Sequence, residues 1–291
     1  MKLNQELKLY CGTTLSNRLA KSAMSENMSS KDHTPGDAFY NLYRRWALGG
    51  VGLCISGNVM IDKNHLGEPN NVVLENDQHL DLFKKWAVCT SGTKMALWMQ
   101  LNHPGKQVPK FLSKKLVAPS AIPLDPGIRP MFATPRALTE KEILEIIHRF
   151  SHSAILAKTA GFHGVQIHAA HGYLINQFLS EKHNQRQDQW GGSLENRMRF
   201  LLEIYKAMRE AVGTTFAIGV KINTADFQKG GFSHEHAISV CKGLSDIGTD
   251  LIELSGGSYE SPVMMTGQKE STKKREAYFL QYACTSLSCC A

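Results

Sequence analysis

Gly164-Val-Gln-Ile-His168-Ala-Ala-His171-Gly-Tyr173 is the stretch on which the fold turns. A short run with Val165 and Ile167 at alternate positions reads as a buried strand, and the alternation points His168 to the face opposite Ile167. Gly172 then lets the chain turn over the end of the sheet. Three polar rings, His168, His171 and Tyr173, are left where one strand finishes. A parallel β/α barrel gathers its active site at the carboxyl ends of its strands.

Working outward, five more apolar runs alternate with longer amphipathic stretches: Leu19-Ala-Lys21, Val51 to Ser56, Lys94 to Gln100, Ala217 to Ile222 and Leu251 to Ser255. Such alternation is the mark of βαβ units. The helices between them have readable ends. Thr139-Glu-Lys-Glu142 is a capping box opening a helix that stops at Gly161. Ser193 opens another that stops at Gly213, and Ser233 caps a third that ends by Gly248.

Both a doubly wound sheet and a closed barrel use this alternation. Lys21, Gln100, His168, Lys221 and Glu253 fall near the carboxyl ends of different strands, which favours the barrel. No G-x-G-x-x-G opens a helix, as it more often would in a doubly wound sheet. The fold expected is therefore a (β/α)₈ barrel. The chain supplies strands for six of its units, and after Leu251–Ser255 only one helical stretch, from Lys273 to about Ala283, so the last two β/α units are missing from the pattern. Residues 1–283 form the expected barrel domain, and residues 284–291, with Cys284, Cys289 and Cys290, an aberrant tail.

Composition narrows the function. With 291 residues and 42% apolar content, the chain can bury a sizeable core. The net charge of +7 is spread along the chain, so nucleic-acid binding is the weaker use of it, and attraction of a phosphorylated cofactor or nicotinamide dinucleotide suits it equally. No apolar run approaches the roughly 18 residues of a membrane span, and the first residues lack a signal peptide's apolar stretch. The expected setting is cytoplasmic, without membrane or nucleic-acid partners. None of the seven cysteines has zinc-site or redox-motif spacing, and Cys54, Cys89 and Cys241 read as small core residues.

Two imidazoles at one strand end can donate hydrogen bonds to a carbonyl or nitro oxygen and stabilise negative charge developing there. A nearby phenol can deliver a proton to carbon. A single histidine more often belongs to the core or the surface, but two at this spacing weaken that reading. His-x-x-His can also supply two zinc ligands, although no third ligand stands in a matching position.

The sequence resembles the old yellow enzyme family of flavin-dependent ene reductases and related NADH:flavin oxidoreductases, from about residue 5 to about residue 283. The resemblance rests on Asn17–Ser25, Ile55–Met60, Gln100–Lys106, Ile167–Ser180 and Trp190–Arg197. It implies an FMN-containing barrel that takes hydride from NAD(P)H and passes it to a small electron-poor alkene. It further implies Ala23, Met24 and Ser25 along the flavin's edge, Gly57 leaving room beside it, and Gln100 bonded to its pyrimidine ring. His168 and His171 would grip the substrate's activating oxygen, with Tyr173 the proton donor.

Lys221 stands where many members carry an arginine near the flavin's N1 and O2. A lysine keeps the charge and loses the planar fork. The same lysine read as a Schiff-base nucleophile would instead make a flavin-free aldolase. Trp190–Arg197 reads as structural, a tight turn and a helix cap. Ser255-Gly-Gly-Ser258 is a weak phosphate-binding signal, and the family's FMN phosphate would sit in the missing final units. A shortened, catalytically weak or inactive member is thus a second expectation. The proline-rich stretch from His103 to Leu138 is far longer than the roughly 12–15 residues of an ordinary connection. It reads as a lid over substrate, or else as a surface insertion packed on its own side chains.

Overall fold

The computed structural model describes residues 2–261 and 282–283. An antiparallel pair, β1 (Leu7–Lys8) and β2 (Thr14–Leu15), comes first, followed by β3 (Ala20–Lys21) and α1 (Asp37–Leu48). Next are β4 (Leu53–Met60), β5 (Val72–Val73), α2 (Leu80–Val88) and β6 (Ala96–Asn102). The expected lid contains β7 (Val117–Ala118) and β8 (Arg136–Ala137), which pair in parallel. Then come α3 (Glu140–Ala160), β9 (Gly164–Ala169), α4 (Leu174–Leu179), α5 (Leu194–Val212), β10 (Ala217–Asn223), α6 (His234–Asp246) and β11 (Leu251–Ser255).

The six strands expected from the sequence are the six on the main path of one sheet, in the order β3-β4-β6-β9-β10-β11, with β5 added against β4. Pairs β3/β4, β4/β6 and β6/β9 run parallel. Spatial order follows chain order throughout, with none of the reversal that defines a doubly wound sheet. This is the α/β succession of the barrel fold. The capping signals hold as well. Thr139 Oγ1 accepts from the Glu142 N–H while the Glu142 carboxylate accepts from the Thr139 N–H, and Ser233 Oγ accepts from the His236 N–H. The helical stretch expected from Lys273 lies outside the described residues except at its end, where Tyr282 and Ala283 are helical. Residues 284–291 also lie outside them.

By backbone contacts the chain divides into two compact units, and β9 and β10 pass from one to the other in mid-strand. The first comprises Met1–His103, Leu144–Ile167 and Ile204–Gly219. Its core is aromatic: Trp86 packs edge-on to Phe39 and Tyr43 at 5.0 Å and to Phe162 at 5.4 Å between ring centres. The second comprises Pro104–Ile143, His168–Glu203 and Val220–Ala291. There Phe178 lies 4.2 Å from Phe200, and the buried Arg197 donates to the carbonyls of Leu179 and Gly192 and pairs with Glu181. Trp190–Arg197 is therefore structural, as its glycines and cap suggested.

Within the long stretch from His103 to Leu138, apolar side chains are buried, Val108, Leu116, Leu124, Phe132 and Leu138 among them, and Pro109 bridges to Phe132. Polar ties complete it. Arg186 donates to the carbonyls of Pro119 and Leu138, and Lys106 donates to that of Ile122. Among the described residues no helix is long and apolar enough to cross a membrane.

Candidate active site

β9 runs straight into the turn that carries the three rings. His171 and Gly172 both take left-handed backbone angles, φ 59° and 79°. For histidine that conformation carries strain of about 1 kcal/mol or more and persists only where neighbours enforce it. They do so here. Asn223 Oδ1 accepts from the His171 N–H, Gln107 Nε2 donates to the His171 carbonyl, and Asn176 Oδ1 accepts from the Gly172 N–H. A Cβ at Gly172 would lie 2.5 Å from Gln107 Oε1, so the clamp closes only on glycine.

The turn brings His168, His171 and Tyr173 together. The His168 ring centre lies 5.1 Å from that of His171 and 4.8 Å from that of Tyr173, edge-on to both. His168 Nδ1 accepts from the Ala170 N–H, which places the ring proton on Nε2 and leaves that nitrogen a donor. His171 Nε2 is 2.6 Å from Ser255 Oγ, so Nδ1 is the nitrogen this ring offers elsewhere. The Tyr173 hydroxyl meets that of Tyr259 at 3.1 Å.

Electrostatics keep both imidazoles neutral at pH 7. Burial is the first cause and the Lys221 cation adds to it, holding His171 down to about 4, while for His168 burial, His171 and Lys221 act together. Glu253 pulls His171 the other way, by a smaller amount. A neutral imidazole donates a hydrogen bond without giving up its proton, which suits stabilisation of a developing oxyanion.

Lys221 itself forms an ion pair with Glu253, Nζ to Oε1 3.0 Å, where it is 5% exposed. At that distance the carboxylate already holds the amine that a Schiff-base nucleophile would have to present to a carbonyl. The aldolase expectation is not supported by this geometry. The Ser255–Ser258 segment is likewise committed within the chain. Ser255 Oγ meets His171, Gly257 N–H donates to the Ala225 carbonyl, and Ser258 Oγ accepts from Gln228 and from the Glu260 N–H.

The first unit carries the residues expected at a flavin. Gly57 lies where the β4/β6 register shifts, between Ile55 and Asn58. Its N–H donates to Glu26 Oε1, and a Cβ there would lie 2.2 Å from Glu26 Oε2 and 2.3 Å from the Met24 carbonyl. Room at Gly57 is thus used by the segment holding Ala23, Met24 and Ser25. Met24 is 62% exposed, and Ser25 bonds to Glu68. Gln100 is buried; its N–H donates to Ser56 Oγ, and its Nε2 donates to Gln166 Oε1 at 2.7 Å.

Asn58 Oδ1 and both amide atoms of Asn102 are buried without a hydrogen-bond partner among the described residues. Asn58 is in register with Gln100, and Asn102 follows Gln100 on the same strand face. Such orphaned donors and acceptors cost roughly 1–3 kcal/mol each unless something meets them. A heterocycle edged with carbonyl and N–H groups would meet them, so the residues present fit a flavin pyrimidine. Asn58 and Asn102 were not singled out from the sequence, although both lie inside the motifs that carry the family resemblance. Ser255 was read only as part of a weak phosphate-binding signal, and Tyr259 was not singled out; the available signal was their place at and just after the end of β11.

Residues 5–283 match the model of the NADH:flavin oxidoreductase / NADH oxidase family. A curated relative, an NADH-dependent flavin oxidoreductase of Hypocrea jecorina (strain QM6a), is 39% identical over 95% of this chain and 74% of its own length. Another of the same description, from Neonectria sp. (strain DH2), is 36% identical over 95% of this chain but only 39% of its own length. Among solved structures, 2-naphthoyl-CoA reductase in complex with 2-naphthoyl-CoA superposes with a TM-score of 0.90 at 27% identity, over 98% of this chain and 44% of that one.

Proposed function

Because the chain belongs to the NADH:flavin oxidoreductase / NADH oxidase family, we propose that it binds FMN and uses NAD(P)H to reduce a small electron-poor alkene of the enone type. The observation that carries this reading is the His168, His171, Tyr173 cluster, two neutral imidazoles beside a phenol at one strand end.

When bound, FMN would accept hydride from the nicotinamide and pass it to the β-carbon of the alkene. Gln100, with Asn58 and Asn102, would hold the pyrimidine edge, Ala23, Met24 and Ser25 would border the ring beside Gly57, and the Lys221 cation would favour its anionic reduced form. The chain's own groups act on the substrate. Nε2–H of His168 and Nδ1–H of His171 hold the activating oxygen as charge gathers on it, and Tyr173 gives its proton to the α-carbon.

The test is direct. Purified full chain given FMN should turn yellow, bleach with NADH or NADPH, and recover colour with cyclohexenone. Protein that stays colourless with added FMN would support a catalytically weak or inactive member instead. Failure of borohydride to trap a carbonyl substrate on Lys221 would dispose of the aldolase.

A further inference from the structure

We propose that Tyr259 is a proton-relay residue that acts through Tyr173, held for that task by the buried anchor of its neighbour Glu260. The proposal rests on the assignment of Tyr173 as proton donor and adds the route by which that donor is recharged.

Tyr173 is 7% exposed, and loss of its proton would leave a phenolate with little water around it. Burial disfavours that charge. Tyr259 is 37% exposed, and its hydroxyl lies 3.1 Å from that of Tyr173, with the rings 6.1 Å apart. One phenol thus faces inward and the next faces solvent. In the step, the Tyr173 O–H bond breaks as the substrate's enolate pair forms a C–H bond. The Tyr259 proton then moves to Tyr173 oxygen, and water returns a proton to Tyr259, the hydroxide so formed passing to buffered solvent. No charge stays on the buried ring, and no further reactant is needed.

A half-exposed loop side chain needs a reason to stay in place. Glu260 supplies it, with its side chain only 2% exposed. Its Oε2 accepts from His183 Nε2 at 3.0 Å, and its Oε1 accepts from the Asp125 N–H at 2.7 Å. His183 Nδ1 in turn meets Lys106 Nζ at 2.9 Å; lysine has only donors, so Nδ1 accepts and the ring proton sits on Nε2, facing Glu260. Burial alone would raise the Glu260 carboxyl, but the hydrogen bond from His183 and the nearby Lys106 prevail and lower it. The anchor therefore stays ionised across the working pH range. On the other side of Tyr259, Ser258 is fixed by Gln228, and Gly257 by Ala225 and Asn223.

The experiment compares Tyr259→Phe with Tyr173→Phe in the full chain loaded with FMN. Tyr259→Phe keeps the ring that packs near Phe132, and its melting temperature is checked first. Expected is about a tenfold slowing of alkene-dependent flavin reoxidation, with reduction by NAD(P)H unchanged. A curved proton inventory in H₂O/D₂O mixtures should become linear, and imidazole buffer should partly restore the rate, which a structural defect would not allow.

Glu260→Gln should give a smaller loss of the same kind. In the full chain without flavin, the tyrosine ¹³Cζ resonance of Tyr173 should shift on Tyr259→Phe. If Tyr173→Phe slows reoxidation while Tyr259→Phe retains the parent rate and inventory, the relay is wrong and the donor assignment stands. If Tyr173→Phe has no effect, the donor assignment itself fails. An unmoved Tyr173 resonance overturns the contact whether or not flavin binds.

Discussion

Two of the facing histidine pairs among the described residues, one taken from each unit, are built differently. His65 and His103 in the first unit lie 4.5 Å apart with ring planes tilted by 35°, and His65 Nδ1 is 3.1 Å from Asp62 Oδ2, with Arg149 beyond it. His168 and His171 in the second unit stand edge-on at 5.1 Å, with Ser255, Tyr173 and the Lys221 cation around them. The carboxylate in the first pair fixes the orientation of His65 as part of the packing. In the second, hydroxyls and a cation leave neutral rings with N–H groups to offer. A pair of histidines signals chemistry through its surroundings.

That contrast can be broken most forcefully at Tyr173. Tyr173→Phe should slow alkene-dependent flavin reoxidation by about 10²–10⁴-fold while leaving reduction by NAD(P)H near its parent rate, as stopped-flow absorbance would show. Next come the rings themselves. His168→Ala or His171→Ala should lower kcat/KM for an enone by roughly 10²–10³-fold, whereas His65→Ala should change it by less than about threefold. An equal loss at His65 would erase the distinction between the pairs.

His171 and Asp62 should also separate by pH. His171 has a folded pKa of about 4 against an ordinary value near 6.5, so the unfolded chain binds more protons between those values. This group leaves stability untouched above about pH 6.5 and lowers it by up to about 3 kcal/mol as pH falls toward 4. At Asp62 burial would raise the pKa, but the His65 bond and other partners prevail and lower it. Its stabilisation is present above the ordinary carboxylate range and is lost only as pH falls below about 4. Denaturant melts at pH 7 and 5 should therefore differ less in His171→Asn than in the parent, and by the parental amount in Asp62→Asn.

The smallest effect concerns the clamps. Gly57→Ala and Gly172→Ala should each destabilise by roughly 1–3 kcal/mol, read as a lowered Tm. Gly172→Ala should in addition weaken enone turnover, because it distorts the turn that carries His171 and Tyr173.

Much of this was legible because it is local. Strand alternation, the Thr139 capping box, the Ser233 cap and the His168-to-Tyr173 turn each occupy a few consecutive residues, and each appears as read. α1 and β5 were not singled out. The contacts that complete the chemistry join residues far apart in sequence: His171 to Ser255, Tyr173 to Tyr259, Lys106 to His183. No local pattern encodes such a pairing; it exists only once β9, β10 and β11 are side by side. Lys221 shows the same limit. Its strand position was readable, and its partner Glu253 was known only as another residue at a strand end.

Arg197 carries a last consequence. Its guanidinium, 2% exposed, ties the carbonyls of Leu179 and Gly192 and the carboxylate of Glu181 into one node. The Trp190–Arg197 stretch helps to mark the chain's kinship, yet what it secures is assembly of the scaffold. No reacting group belongs to that node, so damage at Arg197 would be felt as loss of the scaffold, and only through it as loss of chemistry at the strand ends.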